Sequence, residues 1–133
     1  MILKISTPSG IILENNDVTL LTAMGVEGEF GIMKGHIPFT TRLNEGIVKI
    51  KTSKGHETLA IGPAFFEVAN DTITILADHA ILPKDADKKR AEEARKRAEA
   101  ILQKKIQGTD FTMVEAELRK ALLELKLVES ING

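Results

Sequence analysis

Ile81-Leu82-Pro83-Lys84-Asp85-Ala86-Asp87-Lys88-Lys89-Arg90-Ala91 is the stretch at which the chain changes its rules. Before it, β-branched residues alternate with turn signals. After it, Ala, Glu, Lys, Arg and Leu dominate, all strong helix formers, and no proline follows Pro83. Pro83 ends one pattern, and Asp85 or Asp87 can cap the start of the next. The expectation is an α+β chain with a β domain over residues 1–82 and an α-helical domain over residues 83–133.

Upstream, Ile2–Thr7, Ile11–Glu14 and Val18–Met24 read as strands, separated by Pro8-Ser9-Gly10 and Asn15-Asn16-Asp17. Phe39–Leu43, Gly46–Thr52 and His56–Ile61 continue the pattern, and Phe65–Val68 with Thr72–Ala77 form a hairpin around Asn70-Asp71. In Ile47-Val48-Lys49-Ile50-Lys51 one face is apolar and the other basic. Short strands at this spacing predict a sandwich or barrel. Between the third and fourth of them, Gly28-Glu29-Phe30-Gly31-Ile32-Met33-Lys34-Gly35-His36-Ile37-Pro38-Phe39 reads as a shaped loop, because Gly and Pro impose special backbone angles. Loops of this kind carry contacts, while strands carry packing.

Downstream, a first helix is predicted to about Ile106, ended by Gly108 as a left-handed cap. Thr109 or Asp110 opens a second helix, with Thr112-x-x-Glu115 as an alternative capping box. The first helix presents Ala91, Ala94, Ala98, Ile101 and Leu102; the second presents Val114, Leu118, Ala121, Leu122, Leu125 and Val128. Small against large side chains predicts a close antiparallel hairpin. Residues Lys84–Ile106 carry nine basic and five acidic side chains, and Gln107–Gly133 three and five, so the two helices attract. Lys88, Lys89, Arg90, Arg95, Lys96 and Arg97 form charge clusters. They read either as a solvated face supported by Glu92–Lys96 and Glu93–Arg97 pairs, or as a docking surface for an acidic partner.

Composition narrows the function. Of 133 residues, 43% are hydrophobic and 28% charged, ordinary for a globular chain large enough to bury a core. Aromatics are 4% and net charge is −1, which argues against nucleic-acid binding. Cysteine is absent, excluding disulfides and thiol chemistry. No apolar run approaches the ~20 residues that span a bilayer, and the start of the chain is not a signal peptide, so the cytoplasmic side is the default location. His36, His56 and His79 have no partners at metal-ligand spacing, and no nucleophile motif or phosphate-binding Gly loop is present. Catalysis by the chain alone is not expected. Asp87 and Arg90, opening the first helix, read as a cap plus a surface charge or as a small anion or nucleotide site, since helix starts and Arg both favour phosphate.

Read in order, Gly28-Glu29-x-Gly31 with Gly35-His36-x-Pro38, then Leu43-Asn44-Glu45-Gly46, Phe66-Glu67-Val68, Thr72–Ala77, Asp87-Lys88-Lys89-Arg90-Ala91 and Gly108-Thr109-Asp110-Phe111 resemble the epsilon-subunit family of bacterial F-type ATP synthase, whose mitochondrial counterpart is called delta. The resemblance implies a β-sandwich of about ten strands followed by a two-helix hairpin. It implies a non-catalytic central-stalk rotor subunit at the cytoplasmic face of the bacterial membrane, peripheral and attached only through the complex. Its partners would be the gamma subunit, the c-ring, and the alpha and beta subunits when the tail extends. The positions matching Glu29 and His36 meet the c-ring in that family. The tail permits turnover when compact and blocks ATP hydrolysis when extended, its basic first helix facing acidic segments of the catalytic subunits. This favours the docking reading for Lys88–Arg97. Relatives that bind ATP in the compact tail use the Asp, Arg and Ala matching Asp87, Arg90 and Ala91, together with two arginines of the second helix. Lys120 and Glu124 stand at those two places, so ATP is expected to bind weakly or not at all, and no other cofactor is expected. Where the family carries Gly-Gly before the late hairpin, this chain has Pro63-Ala64, and Ala86 precedes Asp87 where many relatives have Ile or Leu. The competing reading is a free-standing small-ligand or nucleotide-binding module with a helical lid.

Overall fold

The structure, a computed structural model, describes residues 1–104, 108 and 110–132. The chain divides into two compact units, Met1–Leu82 and Pro83–Gly133.

The first unit holds ten strands: β1 (Ile2–Thr7), β2 (Gly10–Asn15), β3 (Val18–Gly25), β4 (Gly28–Met33), β5 (Phe39–Leu43), β6 (Gly46–Thr52), β7 (Gly55–Ile61), β8 (Ala64–Ala69), β9 (Thr72–Ala77) and β10 (Ala80–Ile81). Their order is β10-β7-β6-β3-β5-β8-β9-β1-β2, with β4 also on β3. β3 and β5 are joined only at Gly25 and Leu43. That point separates two layers, and their apolar faces share one core: Leu21, Ile32, Val48, Ile50 and Leu59 from one, and Leu3, Ile5, Phe66, Val68, Ile73 and Ile75 from the other. This is the expected sandwich. Alternation sets each strand's facing. On β6, Val48 and Ile50 are buried while Lys49 and Lys51 face water. The β8–β9 turn places Asn70 and Asp71 at φ of 51° and 62°, a left-handed pair that these two residue types tolerate. β1 lies parallel to β9, Ile2 opposite Thr72 and Ser6 opposite Leu76.

One half of the presumed loop is a strand. Residues Gly28–Met33 form β4, antiparallel to β3 from Gly25–Gly28 to Leu20–Met33. The glycines there suggested a turn, but β3 supplies a ladder and Ile32 an anchor in the core, and tertiary pairing overrides the weak local preference. The remainder, Lys34–Pro38, is irregular, and Gly35 takes φ of 86°.

The second unit opens with a 3-10 turn at Pro83–Asp85, then α1 (Lys88–Lys104) and α2 (Thr112–Asn132). Of the two candidate caps for α1, Asp87 is the one used: the Arg90 N–H donates to its Oδ1 at 3.1 Å. At α2 the Thr112 N–H donates to Asp110 Oδ1 at 2.9 Å, and Thr112 is already helical, so the Thr112–Glu115 box is not what opens the helix. That bond from the Thr112 N–H holds the Asp110 carboxyl below its ordinary pKa. Gly108 has φ of 86°, as a left-handed cap requires. The expected end of the first helix at Ile106, and Thr109 as an opener, lie outside the described residues.

On α1, Ala91 and Ala98 are buried. On α2 the buried residues are Ala121, Leu123, Glu124 and Leu127, which corrects the predicted stripe: Leu122 is 47% exposed, and Val114, Leu118, Leu125 and Val128 are half-buried. Leu residues lie on more than one side of α2, so spacing alone admits two stripes. The start of α1 meets the later part of α2 through Glu124, which makes the hairpin antiparallel.

Candidate functional site

In the sandwich, Glu29 and His36 come together. Both line an open cleft of about 510 Å³ with Val26, Phe30, Phe39 and Thr41. β4 presents Glu29 outward, opposite Met24 of β3. The irregular segment presents His36, whose Nδ1 lies 2.7 Å from the Ile37 carbonyl oxygen. Phe30 packs edge-on against Phe39 at 5.7 Å and Phe66 at 5.2 Å, so the cleft is tied to the core. Ile37, 75% exposed, stands beside His36. An acid, an imidazole and solvent-facing apolar groups thus share one open cleft. The other histidines lie outside this cleft. His56 is exposed. His79 sets its Nδ1 2.6 Å from Asp78 Oδ1, and the two side chains fill the space where a Cβ on residue 62 would lie. The close approach thus falls on Gly62, one residue before Pro63-Ala64.

Strand periodicity did not single out a second surface. Phe65 on β8 faces Leu76 on β9, and both are more than half exposed. Arg42 of β5, opposite Phe65, sets its guanidinium over that ring at 5.4 Å. The only signal in the sequence was large apolar residues at outward-facing positions.

In the helical unit, Asp87, Arg90, Ala91 and Glu124 converge. Ala91 is buried, and its N–H donates to the Asp87 carbonyl at 3.0 Å, the first turn of α1. Glu124 Oε2 accepts from the Asp87 N–H at 2.8 Å and from Arg90 Nη2 at 2.9 Å. Arg90 Nη2 also donates to the Asp85 carbonyl at 3.1 Å. The Glu124 hydrogen bond, and then its charge, hold the guanidinium pKa further above its already high value. Lys120, at the other of those two places, is exposed. Sequence reasoning placed Glu124 here as a repulsive charge; that it binds both donors depends on long-range geometry.

The six clustered cations of α1 fall into rows seven residues apart, Lys88 with Arg95, Lys89 with Lys96 and Arg90 with Arg97. Lys88, Lys89, Lys96 and Arg97 are exposed. Neither expected pair, Glu92–Lys96 or Glu93–Arg97, closes to within 4 Å; the i,i+4 pair formed on α1 is Arg95–Glu99 at 3.6 Å. Exposed pairs of this kind gain too little to fix one partner over another. Among the described residues no group of three or more potential ligands could hold a metal, and no helix is long and apolar enough to cross a membrane.

Residues 1–83 match the family model for the ATP synthase, Delta/Epsilon chain, beta-sandwich domain, and residues 84–129 that for the ATP synthase, Delta/Epsilon chain, long alpha-helix domain. The chain is 40% identical over 119 residues to the ATP synthase epsilon chain of Halalkalibacterium halodurans, covering 89% of each chain. It is 35% identical over 127 residues to that of Staphylococcus aureus, covering 96% of this chain and 95% of the relative. In fold it is similar to a chain of the Euglena gracilis mitochondrial ATP synthase OSCP/F1/c-ring structure (TM-score 0.68, 24% identity, 99% of this chain and 79% of that one). It is also similar to a chain of the Tetrahymena thermophila mitochondrial ATP synthase central stalk/c-ring structure (TM-score 0.59, 19% identity, 97% and 95%). With both units matched in order and identity at this level along nearly its whole length, the chain belongs to the ATP synthase epsilon-chain family.

Proposed function

We propose that this chain is a non-catalytic rotor subunit of the central stalk, which couples the gamma subunit to the c-ring and restrains ATP hydrolysis through its helical tail. The observation that carries the reading is the likeness to epsilon chains through the sandwich and the helices alike. The sandwich is the coupling body. Glu29 and His36 in their cleft meet the c-ring, and the exposed Phe65–Leu76 surface supports a body that works bound to partners. The tail is the brake. Lys88, Lys89, Arg90, Arg95, Lys96 and Arg97 dock on acidic segments of the catalytic alpha and beta subunits when the helices extend, and charge of one sign favours that encounter. The subunit is peripheral at the cytoplasmic face of a bacterial membrane and reaches it only through the complex. ATP binds weakly or not at all, because Glu124 occupies the donors a phosphate would use.

Deleting Lys84–Gly133 in the assembled enzyme is the test. The expected result is intact assembly with raised ATPase activity. Failure to assemble, with hydrolysis unchanged when the tail is cut from preformed enzyme, overturns the division of labour. Micromolar ATP affinity of the isolated chain overturns the ligand assignment.

A further inference from the structure

We propose that Glu124 is a built-in anion that latches the helical hairpin shut, so that closure of the tail requires no ligand. A helix start with a neighbouring arginine attracts an anion, because free N–H groups and a guanidinium converge on one point. Here that point is filled from within the chain. Glu124 is 9% exposed, and a single oxygen, Oε2, takes the Asp87 N–H and Arg90 Nη2. Asp87 and Asp85 add their charge to that of Glu124 around the same Arg90 guanidinium. Arg90 remains largely in water, its side chain 63% exposed against 12% for Glu124.

That asymmetry defines the device. A carboxylate leaves water favourably only where donors replace its hydration. Both donors of Glu124 belong to the start of α1, so satisfying the carboxylate and closing the hairpin are one event. Opening hydrates the carboxylate, uncovers the Asp87 N–H and releases Arg90 together. The side chain that shuts the hairpin also excludes phosphate from the place best suited to it. The chain therefore carries its closing anion at fixed stoichiometry, whatever the nucleotide concentration. The latch deepens the reading of the tail as a brake by saying what holds it compact. Its test needs neither the enzyme nor hydrolysis, so the two can fail separately.

Cysteine is absent from the chain, so the substitutions E93C on α1 and K126C on α2, both exposed positions, carry spin labels that report helix separation in the full-length protein. The unaltered latch is expected to give one short distance that millimolar phosphate or Mg-ATP leaves unchanged. Glu124→Gln keeps the shape and loses the charge, and Glu124→Ala removes the acceptor. Each is expected to raise the open-to-closed ratio about tenfold, the scale of a charge-assisted hydrogen bond. Formate or phosphate is expected to reclose Glu124→Ala. The sandwich amide spectrum controls for global unfolding. Distances unchanged in both variants overturn the latch. So does a parent that closes only with phosphate or ATP, and so does opening in Glu124→Ala that no anion reverses, since a side chain that merely packs leaves no anion site behind.

Discussion

The two units solve burial in opposite ways. Among the described residues, the sandwich buries aliphatic side chains and Phe66, with no charged side chain inside it. The helical unit buries two alanines on α1, and on α2 one of its four buried side chains is a carboxylate. An apolar core shared by two layers holds no group that titrates near neutral pH or that needs an ion for a partner. A seam of Ala and Leu closed by one ion pair has few large contacts, and the Arg90 side of that pair is within reach of solvent and partners. The two units are thus held by two different chemistries, before any partner is considered.

The contrast is broken most directly in the sandwich. Phe66→Ala removes a ring that touches Phe30 and Phe39 and is expected to cost about 3–5 kcal/mol, read from chemical denaturation. A loss under 1 kcal/mol would mean that the core is looser than its burial indicates. Ala98→Leu forces four-carbon bulk into the helix seam and is expected to cost about 1–3 kcal/mol, read as lost helical signal. No loss would show that the small residues are not needed for close approach.

Two smaller effects sharpen it. Replacing Lys89 and Lys96 by Ala is expected to change stability by less than about 0.5 kcal/mol, because both are exposed. The same change raises ATPase activity in assembled enzyme if these cations dock, and unchanged hydrolysis removes them from the brake. The Asp110 cap gives the smallest effect. Its carboxyl is held below the ordinary value, so its contribution is present at neutral pH and is lost as pH falls from the ordinary carboxylate range through the lowered one. A loss of protection at the Thr112 amide, its exchange rate taken against the free-chain rate at the same pH, is expected in that acid window, and Asp110→Ala should show it already at pH 7. Protection at Thr112 that does not change with acid would remove the cap.

Much of the sandwich was legible because alternation is a local property. Val48-Lys49-Ile50-Lys51 and Phe66-Glu67-Val68 state their facing outright. β4 was not legible, since Gly28 and Gly31 weaken its own preference and only the partner strand makes it extended. The α2 face was misplaced for a related reason: Leu122 and Leu123 are adjacent, and which one is buried depends on where the other helix lies. Of the candidate sites, Asp87-x-x-Arg90-Ala91 could be found as a cap followed by a cation. Glu124, thirty-four residues beyond Arg90, joins them only through folding. The cleft that unites Glu29 with His36 depends likewise on the Phe30–Phe39 contact.

The parallel pairing of β1 with β9 has a consequence for synthesis. Ile2 must wait for Thr72, and Ser6 for Leu76, before the first strand gains its second neighbour. A nascent chain on the ribosome therefore holds the β1–β2 hairpin as an unmatched edge until nearly the whole sandwich has emerged, and such edges invite pairing with the wrong molecule. The helices leave the exit tunnel only after β9 has closed that gap.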